Sequence, residues 1–404
     1  MKKKFDIVVV GAGINGQVMS LAAAHHGFSV ALIDQKKIIE GTLRKFDGRA
    51  YAIAFSSVQM LKNLGLWDKV SKKAQPVLNI KVSHGTLEKG PYSSSITFKN
   101  ADIEASPMAH MVEDRYLRQC LNSEITKNNL VDVLEQKEVS QIIDYNYKKQ
   151  LMLNESSKIQ TSLVVASDGI KSPITKAMNI KKMGWKYKQS GLVCAVQHEY
   201  CSNNTAFQYF LPEGPLAILP LQNNIASIVW TENIQNASTI AKMSNEEYLG
   251  ALHKRFGDFL GQIKLTGQRF SFPLNLSIAE KYVTNNFAVI GDAAHGYHPI
   301  AGQGLNAGLR DIAALVDVIT SARDRGEDFS SLNVLNQYQK WRRFDNQTLG
   351  FATDNFNKMF SSYNPLLSSI RNLGMKIFDK SDHAKRVFMN QAAGLNGDLP
   401  TLMR

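Results

Sequence analysis

Apolar residues along this chain fall into two patterns: short β-branched runs suited to a buried parallel sheet, and longer stretches with a helical repeat. The run Phe5-Asp6-Ile7-Val8-Val9-Val10 predicts a first strand. Ile14, Val18, Leu21 and Ala22 then recur at helical spacing, Gly27 ends that helix, and Ser29-Val30-Ala31-Leu32-Ile33 predicts a second strand. Two similar runs stand at residues 163–166 and 287–290. Leu305, Leu309, Ile312, Val316 and Ile319 trace one face of a helix beginning near Gly304. Between residues 186 and 275 short runs prevail, and Ala206-Phe207-Gln208-Tyr209-Phe210 and Ala226-Ser227-Ile228-Val229-Trp230 read as strands of an antiparallel sheet. Beyond residue 331 the pattern is helical again, with Trp341, Phe344, Leu349, Phe351 and Phe356 apolar among charged residues. No stretch approaches the roughly 20 apolar residues of a membrane-spanning helix.

The first strand, helix and second strand make a βαβ unit whose turn, Gly11-Ala12-Gly13-Ile14-Asn15-Gly16, has the spacing GxGxxG. Gly11, Gly13 and Gly16 permit a tight turn and close approach of backbone to a pyrophosphate, whose charge meets the positive helix N-terminus. Asp34, closing the second strand, is placed to accept from an adenosine ribose hydroxyl. GxGxxG alone is a weak signal. In register with strand, helix, second strand and terminal acid it predicts dinucleotide binding, with FAD and NAD both open.

The later runs favour FAD. One strand ends in Asp168-Gly169, followed by Ser172 and Pro173, which suit a turn and a helix start. The other delivers Gly291-Asp292 and then His295, ahead of Pro299-Ile300-Ala301-Gly302-Gln303-Gly304-Leu305-Asn306-Ala307-Gly308. Such a strand can bring Asp292 to the ribityl hydroxyls of FAD, while Gly291 leaves room for the cofactor. The helix that follows should point its N-terminus at the flavin and stabilise an anion there by about 0.3–1 kcal/mol. Pro299, Gly302 and Gly304 are therefore expected beside the flavin. Gly302, Gly304 and Gly308 follow a His-Pro segment rather than a strand, so they are not a second dinucleotide loop, and NAD(P)H would bind transiently across the same groove. His295 and His298 read equally as acid/base groups and as wall residues, so neither is assigned a catalytic proton transfer.

Composition changes the picture little. With 404 residues the chain can hold two or three joined domains. A formal net charge of +12 suits an anionic cofactor or an anionic membrane surface. The lysines are scattered and lie in no nucleic-acid-reading motif, so no nucleic-acid partner is expected. Cys120, Cys194 and Cys201 form no CxxC pair or Cys/His cluster, so neither disulfides nor a metal site are expected. Lys2-Lys3-Lys4 imitates a secretory signal, but Asp6, Gly11 and Gly13 interrupt its apolar core. The expectation is a cytoplasmic protein, with any contact to the inner membrane peripheral.

Together with Asp47-Gly48-Arg49-Ala50, Gly65-Leu66-Trp67, Glu113-Asp114-Arg115-Tyr116-Leu117 and Gly214-Pro215-Leu216-Ala217-Ile218-Leu219-Pro220, these segments resemble the single-component flavoprotein aromatic hydroxylases. Arg371-Asn372-Leu373-Gly374 and Gly394-Leu395-Asn396-Gly397-Asp398-Leu399-Pro400 narrow the resemblance to the ubiquinone-biosynthesis hydroxylases, over essentially the whole chain. The resemblance implies non-covalent FAD flanked by Arg49 and Arg115, with Asp168 near its pyrophosphate side and Asp292 on the ribityl chain. It also implies cofactor contacts at Gly291, Gly304, Leu305 and Asn306. It further implies that NAD(P)H reduces the flavin, and that a flavin C4a-hydroperoxide hydroxylates a polyprenylated phenol or benzoquinol in ubiquinone biosynthesis. A membrane surface or a biosynthetic assembly is then the expected partner. The chain departs from the family pattern at Gly296-Tyr297 and Ala307, positions that bear on the substrate rather than on flavin binding.

The expected fold class is α/β: a discontinuous Rossmann-like FAD-binding domain (1–75, 105–185 and 276–330), an inserted antiparallel β-sheet substrate domain (76–104 and 186–275), and a helical C-terminal region (331–404). Two rival functions share these motifs. One is an FAD-dependent oxidase or dehydrogenase of another small substrate, which needs no external nicotinamide. The other is a non-catalytic prenyl-binding protein of the same fold.

Overall fold

The computed structural model describes residues 4–38, 46–86, 90–100, 106–154, 157–200, 203–360, 379 and 381–404. Cys201 and the segment Arg371-Asn372-Leu373-Gly374 lie outside the described residues, as do parts of the expected insert and C-terminal region.

The apolar runs assemble as their composition requires, into a sheet buried on both faces. Its order is Val283–Thr284, Phe287–Val289, Lys158–Ala166, Lys4–Val10, Val30–Asp34, Val131–Glu135. Lys4–Val10 pairs in parallel with Val30–Asp34 on one side and with Lys158–Ala166 on the other, so Ile7 stands opposite both Val30 and Leu163. Val30–Asp34 continues in parallel to Val131–Glu135, and Lys158–Ala166 to Phe287–Val289. Two antiparallel strands, Lys148–Leu153 and Val139–Tyr145, extend this sheet from Lys158–Ala166. The helices Ile14–His25 and Gln303–Asp324 pack into the same core, with Val18, Met19, Ile312 and Leu315 inaccessible. Because Lys4–Val10 is followed by Val30–Asp34 on one side and Lys158–Ala166 by Phe287–Val289 on the other, the carboxyl ends of these two adjacent strands open a crevice, the position at which open α/β sheets take ligands.

A second eight-stranded sheet runs His295–Gly296, Ile263–Ala279, Lys182–His198, Ile225–Asn233, Gly214–Leu221, Thr205–Leu211, Asn79–Thr86, Gly90–Lys99. It is antiparallel except where Thr205–Leu211 pairs in parallel with Asn79–Thr86, which ties the two pieces of the expected insert together. The expected boundaries at 186 and 275 fall inside two 17-residue strands, Lys182–His198 and Ile263–Ala279. A small third sheet has the order Ala50–Ala54, Ala109–Glu113, Gln75–Val77. The chain ends in the helices Leu332–Phe360 and Asp382–Ala392 and the short turn Thr401–Met403. Among the described residues no helix is long and apolar enough to cross a membrane.

Candidate active site

A cavity of 1660 Å³ runs from the crevice of the first sheet to the face of the second. At the nucleotide end Gly11, Gly13 and Asp34 line it. Asp34 Oδ2 accepts from the Ala12 amide at 2.7 Å and Oδ1 from the Lys36 amide at 2.8 Å, so the carboxylate closes the turn while still facing the cavity. Gly11 holds φ +102°, and a Cβ there would lie 2.5 Å from the Ser167 carbonyl oxygen. Gly16 and Gly291 are not lining residues and stand one layer behind. A Cβ on Gly16 would collide with the Gly11 carbonyl, and one on Gly291 with the Asn15 side chain. At Gly13 and Gly304, by contrast, nothing lies within 4 Å of an added Cβ, so both face open space. The two helix N-termini thus converge on one cavity with their approaches clear.

Midway along it stand Arg49, Asp168, Asp292, Pro299, Gly302 and Leu305. Gly302 adopts φ +62° and caps the helix Gln303–Asp324. Asn306 also lines the cavity, yet its amide is fully engaged: Oδ1 accepts from the Ala54 amide at 2.9 Å, and Nδ2 donates to the Ala52 carbonyl at 2.9 Å. It fastens the strand Ala50–Ala54 to the first turn of the helix. Asp168 accepts from the Ser172 hydroxyl and, at 3.3 Å, from the Ile174 amide, and burial nonetheless pushes its carboxyl above the usual range. Asp292 opens to the cavity but is crowded by protein elsewhere. Burial therefore raises its carboxyl too, against the pull of His295 and Lys182.

Arg115, expected beside the cofactor, is not a lining residue. Its guanidinium is held by Glu113 at 2.6 Å and by the Tyr116 hydroxyl at 2.9 Å. Arg118, one helical turn on, lines the cavity instead. Buried Asp114 organises that wall: it accepts from Arg118 Nε at 2.9 Å and from the Tyr51 hydroxyl at 2.8 Å, and it pairs with Arg49 at 3.4 Å. Lys182, to which sequence reasoning gave no role, bears electrostatically on both Asp168 and Asp292 and donates to the Ile170 carbonyl at 2.9 Å.

Behind Asp292 lies a sealed polar network that the sequence did not announce. Fully buried Asp311 accepts from the Gly291 amide at 3.1 Å, from Arg342 Nε at 3.0 Å and from Asn346 Nδ2 at 3.0 Å. His295 Nε2 lies 2.5 Å from Asp311 Oδ2; a carboxylate can only accept, which places the proton on that nitrogen. Burial pushes the Asp311 carboxyl up, but His295, Arg342 and Asn346 outweigh it and hold it below the ordinary value.

The family model for the FAD binding domain matches residues 4–344. The chain is also 34% identical over 406 residues to the ubiquinone hydroxylase UbiL of Rhodospirillum rubrum, an alignment covering 100% of this chain and 93% of that protein. It belongs to the ubiquinone hydroxylases of the FAD-binding family. The 3-demethoxyubiquinol 3-hydroxylase of Escherichia coli is 32% identical over 393 residues, covering 96% of this chain and 98% of that one. Among solved structures, p-nitrophenol 4-monooxygenase PnpA of Pseudomonas putida superposes with a TM-score of 0.80 over 98% of this chain and 99% of that one. At 17% identity that is a likeness of fold. As a member of this family the chain is an FAD-dependent monooxygenase of aromatic rings, with NAD(P)H as co-substrate. Its residues fit that cofactor: open space in front of Gly13 and Gly304, two helix N-termini, and the cavity-facing carboxylates of Asp34 and Asp292.

Proposed function

We propose that this ubiquinone hydroxylase acts on a polyprenylated phenol or quinol in ubiquinone biosynthesis. The observation that carries the reading is the continuity of the cavity. The space that opens before Gly13 and Gly304 passes into a chamber walled by Val82, Ile96, Phe98, Met108, Phe210 and Leu219, which suits a hydrocarbon tail. The relatives whose names specify ubiquinone chemistry support the same substrate class.

In this reading Gly11, Gly13 and Asp34 take the adenosine diphosphate part of FAD, Asp292 the ribityl chain, and the turn from Pro299 to Gly304 the ring system, with Leu305 packing beside it. Asp168 adjoins the Gly11 turn, and Arg49, paired with Asp114, also lines the cavity. When bound, FAD supplies the reductive activation of O₂, with electrons from NAD(P)H. The chain's own groups orient the ring, exclude water and hold fixed dipoles toward developing negative charge, which is why no nucleophile or metal cluster is needed. NAD(P)H oxidation should be slow without substrate and accelerate with a prenylated phenol, and accelerate less with the same phenol lacking its tail. Equal response to the two would remove the chamber from the argument.

Met359 and Phe388 line the cavity and are also 44% and 37% exposed, which marks an apolar mouth at the C-terminal helices. A prenyl tail would enter there from a lipid surface, and the +12 charge favours an anionic one at about 1 kcal/mol per basic residue near it. Co-sedimentation with anionic vesicles should therefore be strong at low salt and weaken as the screening length falls to roughly 8–10 Å. No binding at low salt would count against peripheral membrane contact.

A further inference from the structure

His298 precedes the turn that begins at Pro299 and lines the cavity. It is only 1% exposed, and neither ring nitrogen has a hydrogen-bond partner among the described residues. Its ring meets Tyr187 edge-on, with centroids 5.2 Å apart and planes at 82°. Tyr187 belongs to the strand Lys182–His198. Asp354, the charged group that acts on the imidazole, belongs to the helix Leu332–Phe360 and is paired with Lys358 at 2.7 Å. His298 is therefore set among the elements of the second sheet and the C-terminal helix, away from the nucleotide-binding turn. The cavity wall contributed by those elements is apolar at Phe272, Pro273, Leu274, Leu349 and Ala352. Thr353, beside them, already donates its hydroxyl to the Leu349 and Gly350 carbonyls at 2.9 and 3.0 Å. A buried imidazole with both nitrogens unpaired is unfavourable until a ligand completes it.

We propose that His298 accepts a hydrogen bond from the ring hydroxyl of the substrate and thereby fixes which ring carbon is presented for hydroxylation. The inference rests on the phenolic-substrate reading above. Burial pushes the imidazole down to about 4, with Asp354 acting the other way, so the ring is neutral near pH 7 and keeps one nitrogen free to accept. An ordinary phenol titrates near 10, roughly six units higher, which is on the order of a million-fold against complete proton transfer. In this role His298 orients the ring through a hydrogen bond in which the phenolic O–H bond stays intact.

The test uses FAD-loaded protein titrated with a geranylated phenol and with its O-methyl ether, followed by the perturbation of flavin absorbance. The parent should bind the phenol about tenfold or more tightly than the ether, the equivalent of roughly 1.4 kcal/mol. The preference should be flat from about pH 5.5 to 8, since the imidazole is neutral throughout. His298→Phe should bring the ratio near one without loss of flavin, and His298→Gln, which keeps an acceptor, should restore most of it. A ratio unchanged in His298→Phe overturns the proposal. So does a preference in the parent that titrates near 6.5, or loss of flavin from both variants, which would assign the ring to the cofactor. If the parent neither binds nor turns over any prenylated phenol, the functional reading falls first and takes this inference with it.

Discussion

Gly16→Ala should yield a protein that melts well below the parent and purifies with little or no flavin. The new methyl carbon would lie 1.8 Å from the Gly11 carbonyl oxygen, a backbone atom of the same turn and far inside van der Waals contact. Gly11 cannot step aside, because it holds φ +102° and is already backed by the Ser167 carbonyl. Overpacking costs about 1–3 kcal/mol where side chains can move, and here the obstructing atoms are backbone. Gly13→Ala is the control. Nothing lies within 4 Å of its Cβ, so the flavin-free protein should melt with the parent. The methyl would nevertheless occupy the approach of the pyrophosphate and weaken FAD by about tenfold or more, roughly 1.4 kcal/mol. Thermal melts of the flavin-free proteins and flavin absorbance separate the two effects; equal melting of both variants would contradict this account of the turn.

Asp311→Ala should be at least as severe, by a different route. The carboxylate is the common acceptor for the Gly291 amide, His295, Arg342 and Asn346, all within 3.1 Å. Its removal leaves buried Arg342 paired with Asp345 alone, at 2.7 Å, and takes the acceptor from the Gly291 amide, His295 and Asn346, each buried group so left unsatisfied costing about 1–3 kcal/mol. The loss should also loosen Gly291-Asp292, so flavin retention should fall with stability although Asp311 does not line the cavity. The pH dependence follows from the direction of the shift. The folded carboxyl lies below its unfolded value, so its contribution is present above about pH 4 and disappears as pH falls through the lowered folded value. Arg325→Ala, which breaks an exposed pair with Glu327, should leave the melting temperature unchanged. An Asp311→Ala protein that melts with the parent would show that the network does not hold this loop.

What could be read in advance was local. The βαβ unit needs only an apolar run, a glycine turn and a helical repeat within 34 residues, and the structure places them at Lys4–Val10, Ile14–His25 and Val30–Asp34. The helix expected near Gly304 begins at Gln303 for the same reason. Features that depend on contacts distant in sequence were not legible. No local pattern distinguishes a strand that pairs in parallel across more than 100 residues, as Thr205–Leu211 does with Asn79–Thr86. Arg115 and Arg118 differ only by one helical turn. Which of them faces the cavity follows from Asp114, four residues before Arg118, which holds the Arg118 guanidinium, whereas Glu113 and Tyr116 hold that of Arg115. Asn306 reads as a ligand because it sits in the glycine-rich turn, yet its amide binds the backbone of Ala52 and Ala54, some 250 residues earlier in the chain. Asp311 and Arg342 carry no motif, and each looks like an ordinary helix-surface charge until the two helices are packed together.

The central claim, that a flavin in this cavity lets the chain place an oxygen atom from O₂ on a polyprenylated ring, is tested most directly by isotope. The FAD-loaded protein, NAD(P)H and a prenylated phenol are incubated under ¹⁸O₂, and the product is analysed by mass spectrometry. The account predicts a single added hydroxyl carrying one ¹⁸O, formed in step with NAD(P)H consumption and absent without the phenol. Hydrogen peroxide as the only oxygen product across several candidate phenols, or a hydroxyl whose oxygen comes from labelled water, would contradict it.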